Sequence, residues 1–165
     1  MAGSLIRFLA VLTAMLIFTG CGAQEKVDEL ETYRTQMESF FERIAGYDES
    51  LKAVDLQSDT AQTDILAIID LIADDFIETS EVTAPEEYSA AQEVLAAAAE
   101  DMRQARNDYH DAFEAEEFDS GKFDTAEQYY ARANERLELF KQVLRGEAEP
   151  VEVSEEAAES TETAE

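Results

Sequence analysis

The chain has few of the residues that enzymes most often use for chemistry. Its 165 residues include one cysteine (Cys21), one histidine (His110) and no tryptophan. A zinc site needs three or four nitrogen, sulfur or carboxylate ligands, which these two residues cannot supply. Di-iron bundles need a glutamate three residues before a histidine, and Asn107 occupies that position. We therefore expect no metal site, no haem or other cofactor, and no enzymatic activity.

Basic residues are also scarce, with 12 Lys+Arg against 39 Asp+Glu and a net charge of −27. A chain this acidic is repelled by phosphate backbones, which excludes nucleic acid as a partner. The same repulsion excludes attachment to anionic lipid through a basic patch. Hydrophobic content of 45% is ordinary, so the chain can still bury the core of one domain.

The N-terminus lacks a hydrophobic run long enough to span a bilayer. Residues 1–20 combine Arg7 with an eleven-residue run, Phe8–Phe18, that is dominated by apolar side chains. A spanning helix needs about 20 apolar residues, whereas a secretory signal needs about 7–15 after a positive charge. Residues 1–20 are therefore predicted to be a signal peptide.

The end of this segment carries a second signal, Phe18-Thr19-Gly20-Cys21. It resembles the lipobox of bacterial lipoproteins, in which small residues precede a cysteine that is acylated before cleavage. The resemblance implies a lipidated Cys21, a short tether over residues 21–24, and anchoring at the extracytoplasmic face of a bacterial membrane. The alternative is an ordinary secretory signal whose cleavage region contains a cysteine.

Apolar residues then recur at alternating spacings of three and four, the pattern of amphipathic helices. Three seams with this spacing run over residues 30–54, 88–112 and 126–144, and a further helical face of apolar residues runs over 65–76. Short connections between amphipathic helices favour antiparallel neighbours. Residues 25–146 are therefore predicted to form an all-α, antiparallel up-down four-helix bundle, with a three-helix bundle containing one bent helix as the alternative.

Helix-start and helix-end signals separate the predicted helices from one another. Asp59 with Gln62 predicts a capping box for the second helix. Thr83 with Pro85 in the first turn predicts the start of the third helix. Residues 119–121 are expected to end the third helix, and Asp124 to begin the fourth.

After Gly146 the chain contains eight glutamates and no basic or aromatic residue. Such a segment cannot bury enough apolar surface to offset the entropy of ordering. Residues 147–165 are therefore predicted to be a disordered acidic tail.

No basic residue occurs between Lys52 and Arg103, and Asp70, Asp74 and Glu78 repeat there at intervals of four. This spacing places the three carboxylates on one helix face. The plainer interpretation is a solvated surface. The alternative is a weak binding site for a divalent cation or a cationic partner, without the calcium-binding loop of EF-hands.

One stripe contrasts with the acidic surface, because Tyr129, Arg132 and Arg136 share a helix face. The arginines are expected to pair with acids on a neighbouring helix. Alternatively the three residues form a contact for a partner protein, since Tyr and Arg are favoured at interfaces.

Several helical runs carry a resemblance: residues 41–60, the helix start Pro85-Glu86-Glu87-Tyr88, and Tyr129-Tyr130-Ala131-Arg132-Ala133-Asn134 through Gly146. They resemble uncharacterised helical lipoproteins and envelope proteins of Gram-positive bacteria, a family that implies no catalytic residues. The expected function is a lipid-anchored interaction or scaffold protein of the cell envelope, with an unknown envelope protein as partner. The alternative is a bundle that binds a small molecule, a divalent cation or a wall polymer. A hollow core would favour the alternative, and a packed core with an exposed apolar stripe the scaffold.

Overall fold

The computed structural model describes the backbone of residues 21–148 and the side chains of residues 26–148. The predicted signal peptide, residues 1–20, lies outside the described residues, as do the side chain of Cys21 and residues 149–165 of the predicted tail. The chain divides into two compact units, Met1–Met37 and Glu38–Glu165. The described part of the first unit is helical throughout, with Tyr33 and Met37 buried.

The fold is all-α, as predicted, and consists of a four-helix bundle. Helix α1 spans Cys21–Ala53, α2 spans Ala61–Ser80, α3 spans Ser89–Glu114 and α4 spans Ser120–Leu144. A single 3₁₀ turn, Glu86–Tyr88, precedes α3. None of the helices in the described part of the chain is both long and apolar enough to cross a bilayer.

Within the second unit, α1 packs against α2 and α4. The Phe40 ring lies edge-on to Phe76 of α2, with ring centroids 5.3 Å apart. The Phe41 ring lies 5.8 Å from Phe140 near the end of α4, whereas the Tyr130 hydroxyl near its beginning donates to Asp48. Because positions rise along α1 as they fall along α4, these two helices are antiparallel.

Helix α3 is antiparallel to α2. The Arg106 guanidinium contacts the Asp74 carboxylate at 2.8 Å, and the His110 Nε2 contacts the Asp70 carboxylate at 2.9 Å. The Gln92 side chain, at the other end of α3, donates to the Ser80 carbonyl at 2.7 Å. These pairs run in opposite directions along the two helices, as the short α2–α3 connection predicts.

Buried aspartates join α3 to α4 and α2 to α1. Asp101 pairs with Arg132 and Arg136 of α4, and Asp108 pairs with Lys122 of α4. Asp75 of α2 accepts two hydrogen bonds from Arg43 of α1, at 3.0 and 2.9 Å. A buried carboxylate is costly unless it is paired, so these contacts fix which faces of the helices meet.

The third predicted seam is confirmed at every position. All eight residues are less than 9% exposed, and half are alanine, which lets neighbouring backbones approach closely: Tyr88, Ala91, Leu95, Ala98, Met102, Ala105, Tyr109 and Ala112. The other seams are less buried at one end. Tyr47 and Leu51 of α1, Ile65 of α2 and Tyr130 of α4 are only partly buried, and they lie at the end where α1 stops and α2 begins.

The predicted capping box of the second helix is wrong. Thr60 occupies the N-cap of α2 and makes no side-chain cap hydrogen bond. The Gln62 amide instead donates to the Phe113 carbonyl of α3 at 2.7 Å. A contact with another helix has replaced the local one.

Thr83 is likewise not the cap of the third helix. Pro85 stands at the N-cap of the 3₁₀ turn, and α3 itself begins at Ser89. Proline tolerates this position because it has no N–H to satisfy. The turn therefore delays the α-helix by one 3₁₀ turn relative to the prediction.

The fourth helix starts at Ser120 instead of Asp124. The Asp119 carboxylate accepts hydrogen bonds from the backbone N–H groups of Gly121, at 2.9 Å, and Lys122, at 3.1 Å. This capping satisfies two of the free donors at the helix start. The residues expected to break the third helix thus begin α4.

The predicted tether and the predicted end of the fourth helix lie at the two ends of the described residues. The predicted tether, residues 21–24, forms the first turn of α1, since Gly22-Ala23-Gln24 contains no proline to prevent helix extension. The predicted end at Gly146 is confirmed. Gly146 has a positive φ of 69°, and its N–H donates to Val143 while that of Glu147 donates to Gln142, which is a glycine-based helix end.

Candidate functional site

A pocket of about 520 Å³ lies at the end of the bundle where α1 and α3 finish and α2 and α4 start. We call it the end pocket. Its aliphatic lining comes from Leu51 of α1, Leu56 of the following link, and Ala61, Ile65 and Ile69 of α2. Small-molecule sites typically occupy about 300–1,000 Å³ and are mostly apolar, so the end pocket has the size and lining of a ligand site.

The remaining wall is aromatic. Tyr109 and Phe113 come from α3, Phe118 from the α3–α4 link, and Phe123 and Tyr130 from α4. The contacting pairs have ring centroids 5.5–6.5 Å apart, within the range of favourable edge and tilted geometries. The aromatic side chains therefore hold one another in place around the cavity.

The α1–α2 link and the α3–α4 link each place an apolar side chain at the pocket, and both side chains are exposed to solvent. Leu56 is 76% exposed and Phe118 is 55% exposed. Two other large hydrophobic side chains in the described part of the chain are exposed, Val27 at 56% and Leu71 at 50%. Exposed apolar surface beside a cavity is unfavourable in water, and a ligand that covers it would remove that cost.

The polar groups of the end pocket are two phenols and one amide. The Tyr130 hydroxyl donates to Asp48 Oδ1 at 3.1 Å, and burial raises the pKa of this phenol, with the charge of Asp48 acting in the same direction. Burial raises the pKa of Tyr109 to about 12, helped by the charge of Glu127. Both phenols are therefore neutral near pH 7. The third group, the Gln62 amide, is engaged by a backbone carbonyl.

The Tyr109 hydroxyl makes no hydrogen bond to the described residues. No fully buried side-chain nitrogen or oxygen in this part of the chain is left unsatisfied. The Tyr109 oxygen therefore retains accessible surface, and a hydroxyl can both donate and accept. It is available to water or to a polar group on a ligand.

The predicted stripe of Tyr129, Arg132 and Arg136 is engaged within the bundle. The Arg132 Nε donates to Asp101 at 2.9 Å, and Arg136 binds the same carboxylate and the Ala97 carbonyl. The Arg132 guanidinium also lies 4.6 Å from the Tyr129 ring centroid. The interpretation that these arginines pair with a neighbouring helix is confirmed, while a partner contact at the same residues stays a prediction.

The three carboxylates of the predicted cation site do not converge. Asp70 contacts His110, and Asp74 contacts Arg106, so both have partners on α3, while Glu78 follows one turn later on α2. Among residues whose side chains are described, no group of three or more His, Cys, Asp and Glu could hold a metal ion. The structure does not assemble a cation site from Asp70, Asp74 and Glu78.

His110 lies between two carboxylates on the surface of α2 and α3. Its Nδ1 is 2.8 Å from Glu114, and its Nε2 is 2.9 Å from Asp70. The hydrogen bond with Glu114 is the main cause that raises the pKa of His110, and the bond with Asp70 adds to it. Both ring nitrogens are therefore engaged by carboxylates.

The heptad pattern assigns Tyr109 and Tyr130 to the core and does not predict the end pocket. Leu56 and Phe118 lie in links, where periodicity gives no information. A usable signal was the crowding of aromatic residues, since six of fifteen fall between positions 109 and 130. No family model, curated protein or solved structure matches the chain.

Proposed function

We propose that the chain is a lipid-anchored, non-enzymatic helical bundle of the bacterial cell envelope that binds a small, largely apolar molecule. The single observation that carries the binding role is the end pocket of about 520 Å³, with its aliphatic and aromatic lining. The anchoring part depends on the lipobox-like sequence before Cys21.

Ligand binding is preferred over the scaffold role because of where the free surface lies. Arg132 and Arg136 are occupied by Asp101, which weakens the case for a basic partner contact there. Of the exposed large hydrophobic residues in the described chain, Leu56 and Phe118 line the end pocket. The centre of the bundle is packed, and two of the four exposed large hydrophobic side chains in the described chain lie at a cavity of ligand size.

Binding without catalysis fits the groups that line the cavity. Acid–base catalysis needs titratable groups whose environments bring their pKa values near the working pH. The titratable groups of the lining are Tyr109 and Tyr130, and burial raises both pKa values away from neutrality. They suit hydrogen bonding and ring contacts instead.

A substitution that fills the cavity tests the proposal. Ala61 lines the end pocket at the first turn of α2, so Ala61→Phe places a ring inside it. Ala67→Phe adds the same ring to an exposed position of the same helix and is the matched control. With the neutral dye Nile red, we expect Ala61→Phe to weaken binding at least about tenfold, or ~1.4 kcal/mol, and Ala67→Phe to leave it unchanged.

Fluorescence titration of the full chain and both variants gives the affinities, and circular dichroism verifies that each variant remains helical. Equal affinity in all three proteins would show that the dye binds elsewhere and would contradict the proposed function.

A further inference from the structure

The charges around the end pocket differ from those in the rest of the bundle. Elsewhere a carboxylate that is buried between helices has a cationic partner: Asp75 has Arg43 and Asp101 has Arg132. This is the usual arrangement, because an uncompensated charge away from water is costly.

Asp48 departs from that arrangement. It is partly buried on α1, and its Oδ1 accepts the hydrogen bond of the Tyr130 hydroxyl, a neutral donor, at 3.1 Å. Within the described residues it makes no salt bridge, and neither does Glu127 of α4, whose charge acts on Tyr109. A carboxylate thus lies against one of the two phenols of the end pocket without a salt-bridged cation, and the charge of the exposed Glu127 acts on the other.

The wider surroundings have the same sign. Segments 48–64 and 109–130, which build this end of the bundle, contain five and seven acidic residues. Their lysines are Lys52 and Lys122, and Lys122 is already held by Asp108 and Asp111, at 2.9 and 3.2 Å. A ligand that enters here moves into a negative field, which attracts cations and repels anions.

The wall of the pocket also favours a cation. Aromatic rings attract a positive group placed over their faces, and the attraction grows when the group is partly desolvated. The rings of Tyr109 and Tyr130 contact each other at a centroid distance of 6.5 Å. The Tyr130 hydroxyl donates a hydrogen bond to the Asp48 carboxylate. Asp48 is not itself a lining residue, so the rings would provide the direct contacts of a substituted ammonium group, and the carboxylate bonded to Tyr130 would provide the neighbouring negative charge.

We propose that the ligand of the end pocket is a cationic amphiphile, with an ammonium group near Tyr109, Tyr130 and Asp48 and an apolar chain against Leu51, Ile65 and Ile69. This inference depends on the proposed function, since it names the chemical class of molecule that the same pocket takes. Anionic amphiphiles such as fatty acids are disfavoured, because their carboxylate would lie beside Asp48 and Glu127.

Because the chain contains no tryptophan, a single introduced tryptophan is a site-specific fluorescent reporter. Leu56→Trp places a single indole at the exposed edge of the end pocket, and Leu71→Trp places one at an exposed position of α2 outside the pocket lining. The full chain with either reporter is titrated with three probes that share an eight-carbon chain: octyltrimethylammonium, 1-octanol and octanoate.

The expected result is a saturable fluorescence change at Leu56→Trp and none at Leu71→Trp. Octyltrimethylammonium should bind at least about tenfold more tightly than 1-octanol, with octanoate the weakest. Equal or tighter binding of 1-octanol or octanoate overturns the charge inference while leaving the pocket a ligand site. No response of Leu56→Trp to any probe contradicts the proposed function as well.

Neutralising substitutions locate the charge. Asp48→Asn and Glu127→Gln should each weaken octyltrimethylammonium binding to the Leu56→Trp reporter several-fold and leave 1-octanol unaffected. Glu135→Gln removes an exposed carboxylate two turns beyond Glu127 on α4 and should change neither. A loss of equal size in all three variants would show that only the net charge of the protein matters and would overturn the proposed role of Asp48.

Discussion

At the scale of single residues, buried aspartates determine how the helices of the second unit are matched. The Asp101 side chain is 6% exposed and receives Arg132 and Arg136 from α4. Burial of the carboxylate is tolerable because two guanidinium groups satisfy it. Sequence alone indicated that the arginines would find acids on a neighbouring helix. It could not identify Asp101, because many acids share the same helical spacing.

Asp101→Ala should lower the free energy of unfolding by about 1–3 kcal/mol, since both guanidinium groups lose a charged hydrogen-bond partner. Glu100→Ala is the matched control, because the adjacent Glu100 pairs with Arg103 but is 62% exposed and should matter little. Both variants remove one negative charge, so net charge cancels from the comparison. Urea unfolding followed by circular dichroism measures the difference, and equal losses would refute the role of burial.

At the scale of elements, the apolar periodicity predicts all four helices, while local start signals fail at three of them. The seams succeed because burial of an apolar stripe repeats over many residues. Asp59, Thr83 and Asp124 are all plausible caps, yet Thr60, Tyr88 and Asp119 occupy the N-cap positions of α2, α3 and α4. A cap is a single local choice, and tertiary contacts such as the bond from Gln62 to the Phe113 carbonyl can override it.

The stability of the contact between α2 and α3 should depend on pH through His110. Its pKa is raised in the folded chain by Glu114 and Asp70, so its stabilising effect is complete below the ordinary value of 6.5 and is lost as pH rises through the raised value. His110→Gln should therefore lower the free energy of unfolding by more at about pH 5.5 than at about pH 8. Because the chain has one histidine, NMR can follow its titration directly, and a midpoint at or below 6.5 would rule this out.

At the scale of the whole molecule, the net charge of −27 has a structural distribution. Several acids are balanced within the bundle by Arg43, Arg106, Arg132 and Arg136. Asp48 and Glu127, beside the end pocket, have no such partner in the described chain. In the proposed ligand site, this negative charge is what favours a cationic ligand.

The fold class was predictable from the sequence, but the end pocket was not. The apolar periodicity shows which side chains face inward. It cannot show whether those side chains fill the space at the end of the bundle, where two helices stop and two start. Tyr109 and Tyr130 are assigned to the core by their spacing and prove to line a cavity. The cavity depends on how two links, carrying Leu56 and Phe118, pass over the end of the bundle.

The most direct test of the central claim is an NMR measurement of nuclear Overhauser effects between octyltrimethylammonium and the tyrosine rings of the full chain. The chain has six tyrosines, and Tyr109→Phe and Tyr130→Phe assign the two in the end pocket. The account predicts that the N-methyl protons contact the rings of Tyr109 and Tyr130, and that Ala61→Phe abolishes both contacts. Contacts only with other tyrosines, or with none at saturating probe, would contradict it.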